Sequence, residues 1–115
     1  FWHHDDEDDD LFPLLRQRAQ PEDDLNAALD RLGEDHRRSE GMVEAITAVL
    51  AAPARDGTVR IDRKTRVAMN AFAAAEHRHL AIENGIVLAI ARIRLTRADL
   101  ARMSAAMRQR REAQA

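Results

Sequence analysis

The sequence predicts an all-α protein, an up-and-down helical bundle of three long helices and a short C-terminal one. Three observations carry this expectation. Ala is the commonest residue, with 22 copies, and Leu, Ile, Val and Met supply most of the remaining apolar side chains. Gly and Pro number only four and three, too few for the frequent turns of a sandwich or barrel. Apolar residues recur at steps of three and four over long stretches, the period of a helix face. At 115 residues the chain makes one domain with one core.

The first helix is expected over residues 1–18. It opens on Phe1-Trp2 rather than Met, as a trimmed product starting inside an element would. Pro13 lacks an N–H and crowds the carbonyl four residues back, so a kink is expected near Asp9. The second helix is expected over 22–52. Pro21 suits its first turn, Glu22, Asp23 and Asp24 favour the positive end of its dipole, and Pro53 follows its end. Residues 54–62 read as a loop turning at Asp56-Gly57, and the third helix as 63–94. The last helix, 97–112, begins at the capping-box pattern Thr96-Arg97-Ala98-Asp99 and carries Leu100, Met103 and Met107 as its apolar stripe.

Composition removes several function classes. With no Cys, disulfide scaffolds, thiolate zinc sites, iron–sulfur clusters and Cys nucleophiles are excluded. Apolar runs stop near about ten residues, too short for a membrane span, and no signal peptide is visible, so a cytoplasmic protein without a membrane partner is expected. No Ser-His-Asp spacing, phosphate-cradling loop or nucleotide motif appears, and no catalytic role is expected. The net charge of −2 conceals a gradient, since ten acids against two Arg fall in residues 1–30 and eight Arg against three acids in 78–115. The basic segment lacks interleaved aromatics for stacking bases, so no nucleic-acid partner is expected and the charges read as helix faces pairing within the bundle.

Polar residues interrupt the apolar stripes in a regular way. On the third helix Met69, Phe72, Glu76, His79, Glu83, Ile86 and Ile90 share a face, with His79 between two carboxylates at its centre. The second helix aligns Leu25, Leu29, Leu32, His36, Glu40, Val43 and Leu50, and the first aligns His3, Glu7, Leu11 and Leu14. Three of the five His have Glu at the fourth following position, where chance gives about a third of one pair. A single pair of this kind reads as surface helix stabilisation. Two of these pairs fall inside apolar seams, where ionisable groups need partners, and a metal ion shared between helices would supply one. Imidazole with carboxylate suits iron, manganese or zinc.

The run from His3 through Glu7 to Leu11-Phe12-Pro13 resembles the second-helix motif of bacterial hemerythrin-like (HHE cation-binding) domains: a His, a Glu four later, then acids and Leu-Phe-Pro. The match selects His3 over His4. Leu32-Gly33-Glu34-Asp35-His36 resembles the family's third helix, and His79-Leu80-Ala81-Ile82-Glu83-Asn84 the His-x-x-x-Glu motif of its fourth. The resemblance covers residues 1 to about 95, and the family's first helix, with its further His, has no counterpart. It implies a non-haem di-iron centre, oxo- or hydroxo-bridged, that takes oxygen or a related diatomic, with His3, His36 and His79 as terminal ligands. Glu7 and Glu83 are implied as bridging carboxylates, with Glu40 as an additional ligand. Self-association covering the face of the absent helix is a further expectation. The acidic run Asp5–Asp10 reads as a solvated face, and His77 as solvent-facing.

Two other readings compete. A ferritin-like site needs two Glu-x-x-His motifs, and only Glu76-His77-Arg78-His79 is present. A metal-free helical dimerisation module would use the buried His–Glu pairs as hydrogen-bonded register devices.

Overall fold

The computed structural model describes residues 2–52 and 56–114, which form helices and no strand. Helix α1 covers 2–18, α2 is Asn26–Leu50, α3 covers 63–94 and α4 is Arg97–Ala113. The bundle is flattened, with extents of 55 × 33 × 16 Å, its thinnest dimension less than two helix diameters.

Local chemistry sets most helix ends as the sequence implies. Asp62 accepts from the Thr65 N–H at 2.8 Å and caps α3, and Thr96 and Asp99 exchange 3.0 and 3.1 Å bonds as a complete capping box for α4. The turn at Asp56-Gly57 forms with Gly57 at φ +82°, a conformation open to glycine. The expected loop runs back through Ala54 and Arg55, which lie outside the described residues along with Pro53. The start of α2 differs from expectation. Pro21–Asp23 forms a separate 3₁₀ turn, and Asp24 then adopts a left-handed conformation that no helix can pass through, so α2 begins at Asn26 rather than 22.

Two helices contain π turns. In α1 the turn covers Asp6–Leu11, where the kink near Asp9 was expected, and closes with Phe12 N–H donating to the Glu7 carbonyl. In α3 it covers Glu83–Val87 and closes with Leu88 N–H donating to the Glu83 carbonyl. Each turn inserts one residue into its helix. The insertion corrects the sequence-derived faces: beyond Glu83 the buried positions are Val87 and Ala91, while Ile86 is 43% exposed and Ile90 only half-buried. Beyond Glu7 they are Leu11 and Leu15 rather than Leu14. On α4, Leu100 is exposed and the fully buried residue is Asp99, because this helix docks through charge.

The apolar core occupies one end of the bundle, from Leu11, Phe12 and Leu15 of α1, Leu25, Leu29 and Leu32 at and within α2, and Val87 and Ala91 of α3. Paired guanidinium–carboxylate contacts brace this end. Arg18 donates twice to Asp99 and Arg94 twice to Asp23, at 2.9–3.0 Å. The opposite charges of the two chain ends thus meet within the molecule. Gly41, inside α2, faces open space where a Cβ would stand. Gly41→Ala is expected to raise stability by about 0.5–1 kcal/mol in denaturant unfolding, through helix propensity alone.

Candidate metal centre

Directly above the apolar core, three helices aim ionisable groups at one another. Glu7 from α1, His36 from α2, and His79 and Glu83 from α3 are each 6% exposed or less. The spacing along each helix explains this: the stripes 15-11-7, 25-29-32-36 and 91-87-83-79 pass from apolar to ionisable at the same level. The π turns start at or just before the two carboxylates, so each helix changes its winding where the chemistry changes. Phe12 closes the layer beneath, its ring stacked 5.8 Å from that of His36.

The donor atoms fall into two groups that share one residue. Ligand atoms of Glu7, His36 and His79 lie within 4.8 Å of one another, as do those of His3, Glu7 and Glu83. His36 Nε2 stands 3.1 Å from Glu7 Oε2, and His79 Nε2 stands 3.2 Å from Glu83 Oε2. His3 Nε2 reaches Glu7 Oε1 from the rim, with its side chain 69% exposed. Despite this proximity, both Glu7 oxygens, Glu83 Oε2 and His36 Nε2 have no aligned hydrogen-bond partner. Buried polar atoms in that state cost several kcal/mol, and a cation where they converge removes the cost for all of them together. Borderline nitrogen with hard oxygen fits iron, manganese or zinc.

Charge in the cluster is strongly biased. Burial and the facing Glu7 carboxylate push Glu83 up to about 7. Burial works against charge on Glu7 too, but His36, the facing Glu83 and His3 outweigh it and hold Glu7 below the usual carboxylate range. Burial also penalises charge on His36, yet Glu7 and Asp8 overcome that and raise it to about 8.

Two carboxylates that sequence reasoning did not assign complete the arrangement. His36 Nδ1 donates to Asp8 Oδ1 at 2.9 Å, and His79 Nδ1 donates to Asp35 Oδ2 at 3.4 Å. Each tie keeps the proton on Nδ1 and turns Nε2 toward the cluster, the orientation a metal-ligating imidazole requires. The sequence signal was adjacency, since Glu7-Asp8 and Asp35-His36 put an acid beside a ligand on two helices.

Of the six residues proposed from the sequence, the structure brings five together: His3, Glu7, His36, His79 and Glu83. Glu40 is corrected. The next buried position after His36 is Ser39, which donates to Glu76 at 2.9 Å, so Glu40 is rotated off the seam. It accepts from His4 Nδ1 at 3.1 Å, and the His4 ring stacks on His36 at 4.1 Å. His77 is exposed, as expected. The acidic run is not simply solvated: Asp6 and Asp10 pair with Arg110, and Asp8 with His36.

Helices of this order, bearing two His-x-x-x-Glu motifs and a His between them, define a class of cation-binding bundle. The family model of the Hemerythrin HHE cation binding domain matches residues 1–91, and the chain belongs to this family. Neither a curated protein nor a solved structure matches the chain. Helix α4 lies beyond the matched residues. Among the described residues, no helix is long and apolar enough to cross a membrane.

Asp8→Ala and Asp35→Ala are each expected to weaken metal binding by about 10- to 100-fold while far-ultraviolet circular dichroism stays unchanged. The pH dependence of the metal-free chain has a definite sign. Stability from His36 is complete below 6.5 and lost as pH rises through about 8, and the penalty on Glu83 develops from 4.5 through about 7. Thermal melts of metal-free protein should therefore show Tm falling from pH 6.5 to 8, and added metal should release protons in the same window.

Proposed function

We propose that this chain holds a pair of non-haem iron ions and uses them to bind a small diatomic such as oxygen, as a store or sensor rather than as an enzyme. The observation that carries the reading is the pair of overlapping donor groups with Glu7 common to both. One group offers two imidazoles and a carboxylate, the other an imidazole and two carboxylates. A carboxylate common to both is suited to bridging, and Glu83, close to His79 Nε2, can serve either side. Iron bound here would supply an electron-rich centre able to take up a diatomic ligand reversibly.

The chain's own residues prepare for that role. Asp8 and Asp35 fix the two buried imidazoles, and Glu83 and His36 would give up protons as a cation enters. Phe12 and the leucine layer keep water from the inner side. The rim at His3 is the accessible side, facing solvent. Manganese and zinc suit the same donors, so the iron assignment rests on family membership. The register-device reading accounts for the His36–Asp8 and His79–Asp35 bonds but leaves both Glu7 oxygens, Glu83 Oε2 and His36 Nε2 without an aligned partner.

Anaerobic loading with ferrous iron, followed by metal analysis and an optical spectrum in air, tests the reading. About two irons per chain, with near-ultraviolet charge-transfer bands on oxidation, is the expected result. His79→Ala and Glu83→Ala should each abolish tight binding, and His77→Ala should leave it intact. Equal iron in all three variants would refute the ligand assignment.

A further inference from the structure

The first turn of α1, Trp2–Asp5, contains no buried residue, yet it presents His3 and leads directly into Glu7. It is held from two sides: His4 bonds Glu40 and stacks on His36 of α2, and α4 grips the turn that follows. Arg110 Nη1 donates to Asp6 Oδ1 at 2.6 Å and to Asp10 Oδ2 at 2.9 Å. Arg111 meets the same Asp6 with both guanidinium nitrogens, at 2.6 and 3.2 Å. Its Cζ lies 5.4 Å from the centre of the Trp2 ring, and the Trp2 indole N–H donates to Gln114. Asp6 is 7% exposed, but the Arg111 side chain is 40% exposed, so the pair stays open to screening by salt. The two arginines grip the π turn at Asp6, the residue before Glu7, and Arg110 again at Asp10.

Helix α4 itself is attached by charge more than by apolar packing. Its one buried residue is Asp99, which pairs with Arg18 at the far end of α1. Met103 adds a partly buried contact with the core. By contrast, α2 and α3 bring His36, His79 and Glu83 together through direct packing and need nothing from α4. Arg110 and Arg111 lie outside residues 1–91, so family membership assigns them no role.

We propose that α4 is an electrostatic clamp on the metal centre, with Arg110 and Arg111 as positioning residues that hold the α1 π turn through Asp6 and thereby set His3 and Glu7. The inference rests on the two-ion reading above. It assigns unequal dependence to the two ions. The ion served by His3, Glu7 and Glu83 draws two of its three ligands from α1 and requires the clamp, whereas the other takes only Glu7 from α1 and keeps His36 and His79 without it. High ionic strength, or a polyanionic partner competing for α4, releases one ion selectively.

Trp2 is the sole tryptophan, so its emission reports docking of α1 on α4 directly. Full-length wild type, R110Q/R111Q, D6N and R108Q are loaded anaerobically with ferrous iron, and iron per chain is measured beside Trp2 emission. Arg108 is exposed and serves as the control for loss of an α4 arginine outside the contact. Wild type and R108Q are expected to hold about two irons, and R110Q/R111Q and D6N about one with red-shifted emission. Two irons retained in R110Q/R111Q, whatever the emission, overturns the clamp and leaves the metal centre standing. No iron in wild type overturns the metal centre itself, and the clamp as its device. Should the double variant fail to fold by circular dichroism, a salt titration of iron-loaded wild type replaces it. Loss of one iron together with the Trp2 red shift then supports the clamp, and Trp2 release with both irons kept overturns it.

Discussion

Two carboxylates facing one another among imidazoles, shut away from water, are the constraint around which this molecule is organised. Glu7 and Glu83 cannot both carry charge there without a cation or a proton between them, and burial removes the solvent that would otherwise screen them. The surrounding features answer that constraint. Asp8 and Asp35 fix the rings of His36 and His79, Phe12 stacks beneath, and the leucine layer of α1 and α2 excludes water from the inner side. Such a cluster would be an expensive way to stabilise an apolar bundle, and it is suited to holding positive charge.

A second theme is how little apolar surface joins the ends of the chain. Alanine-rich helices offer small side chains, and the core is confined to one end of a flat molecule. Arginine does much of the remaining work. Its planar fork matches carboxylate geometry, and Arg18, Arg94, Arg110 and Arg111 each make two contacts with aspartates far away in sequence. The charge gradient that the sequence displays is therefore the signature of intramolecular closure.

Much of this was legible beforehand, for identifiable reasons. Helix existence followed from the three-and-four spacing, and the caps at Asp62 and Thr96 from residue chemistry that acts locally. The buried candidate ligands on α3 were visible because a His and a Glu one turn apart interrupt an apolar seam, and Glu7 because the run from His3 to Pro13 resembles a family motif. What escaped was whatever depends on winding or on neighbouring helices. Glu40 shared a nominal face with His36, but the observed packing selects Ser39. Ile86 and Ile90 fitted a regular helix, and the π turn selects Val87 and Ala91. Asp8 and Asp35 act across helix interfaces, which a one-dimensional pattern does not contain.

The π turns also give the sequence a second hydrophobic reading frame. In α3 the Ile86/Ile90 pair follows regular winding and the Val87/Ala91 pair follows the inserted residue; in α1 Leu14 and Leu15 stand in the same relation. Both frames are populated with apolar side chains, one residue and about 100° apart. The site-bearing and core-bearing halves of these helices are thus offset by one residue of winding. Converting a π turn to regular helix would exchange one apolar set for another while turning a carboxylate away from its partners. The same inserted residue therefore sets both which apolar side chains enter the core and where Glu7 and Glu83 stand above it.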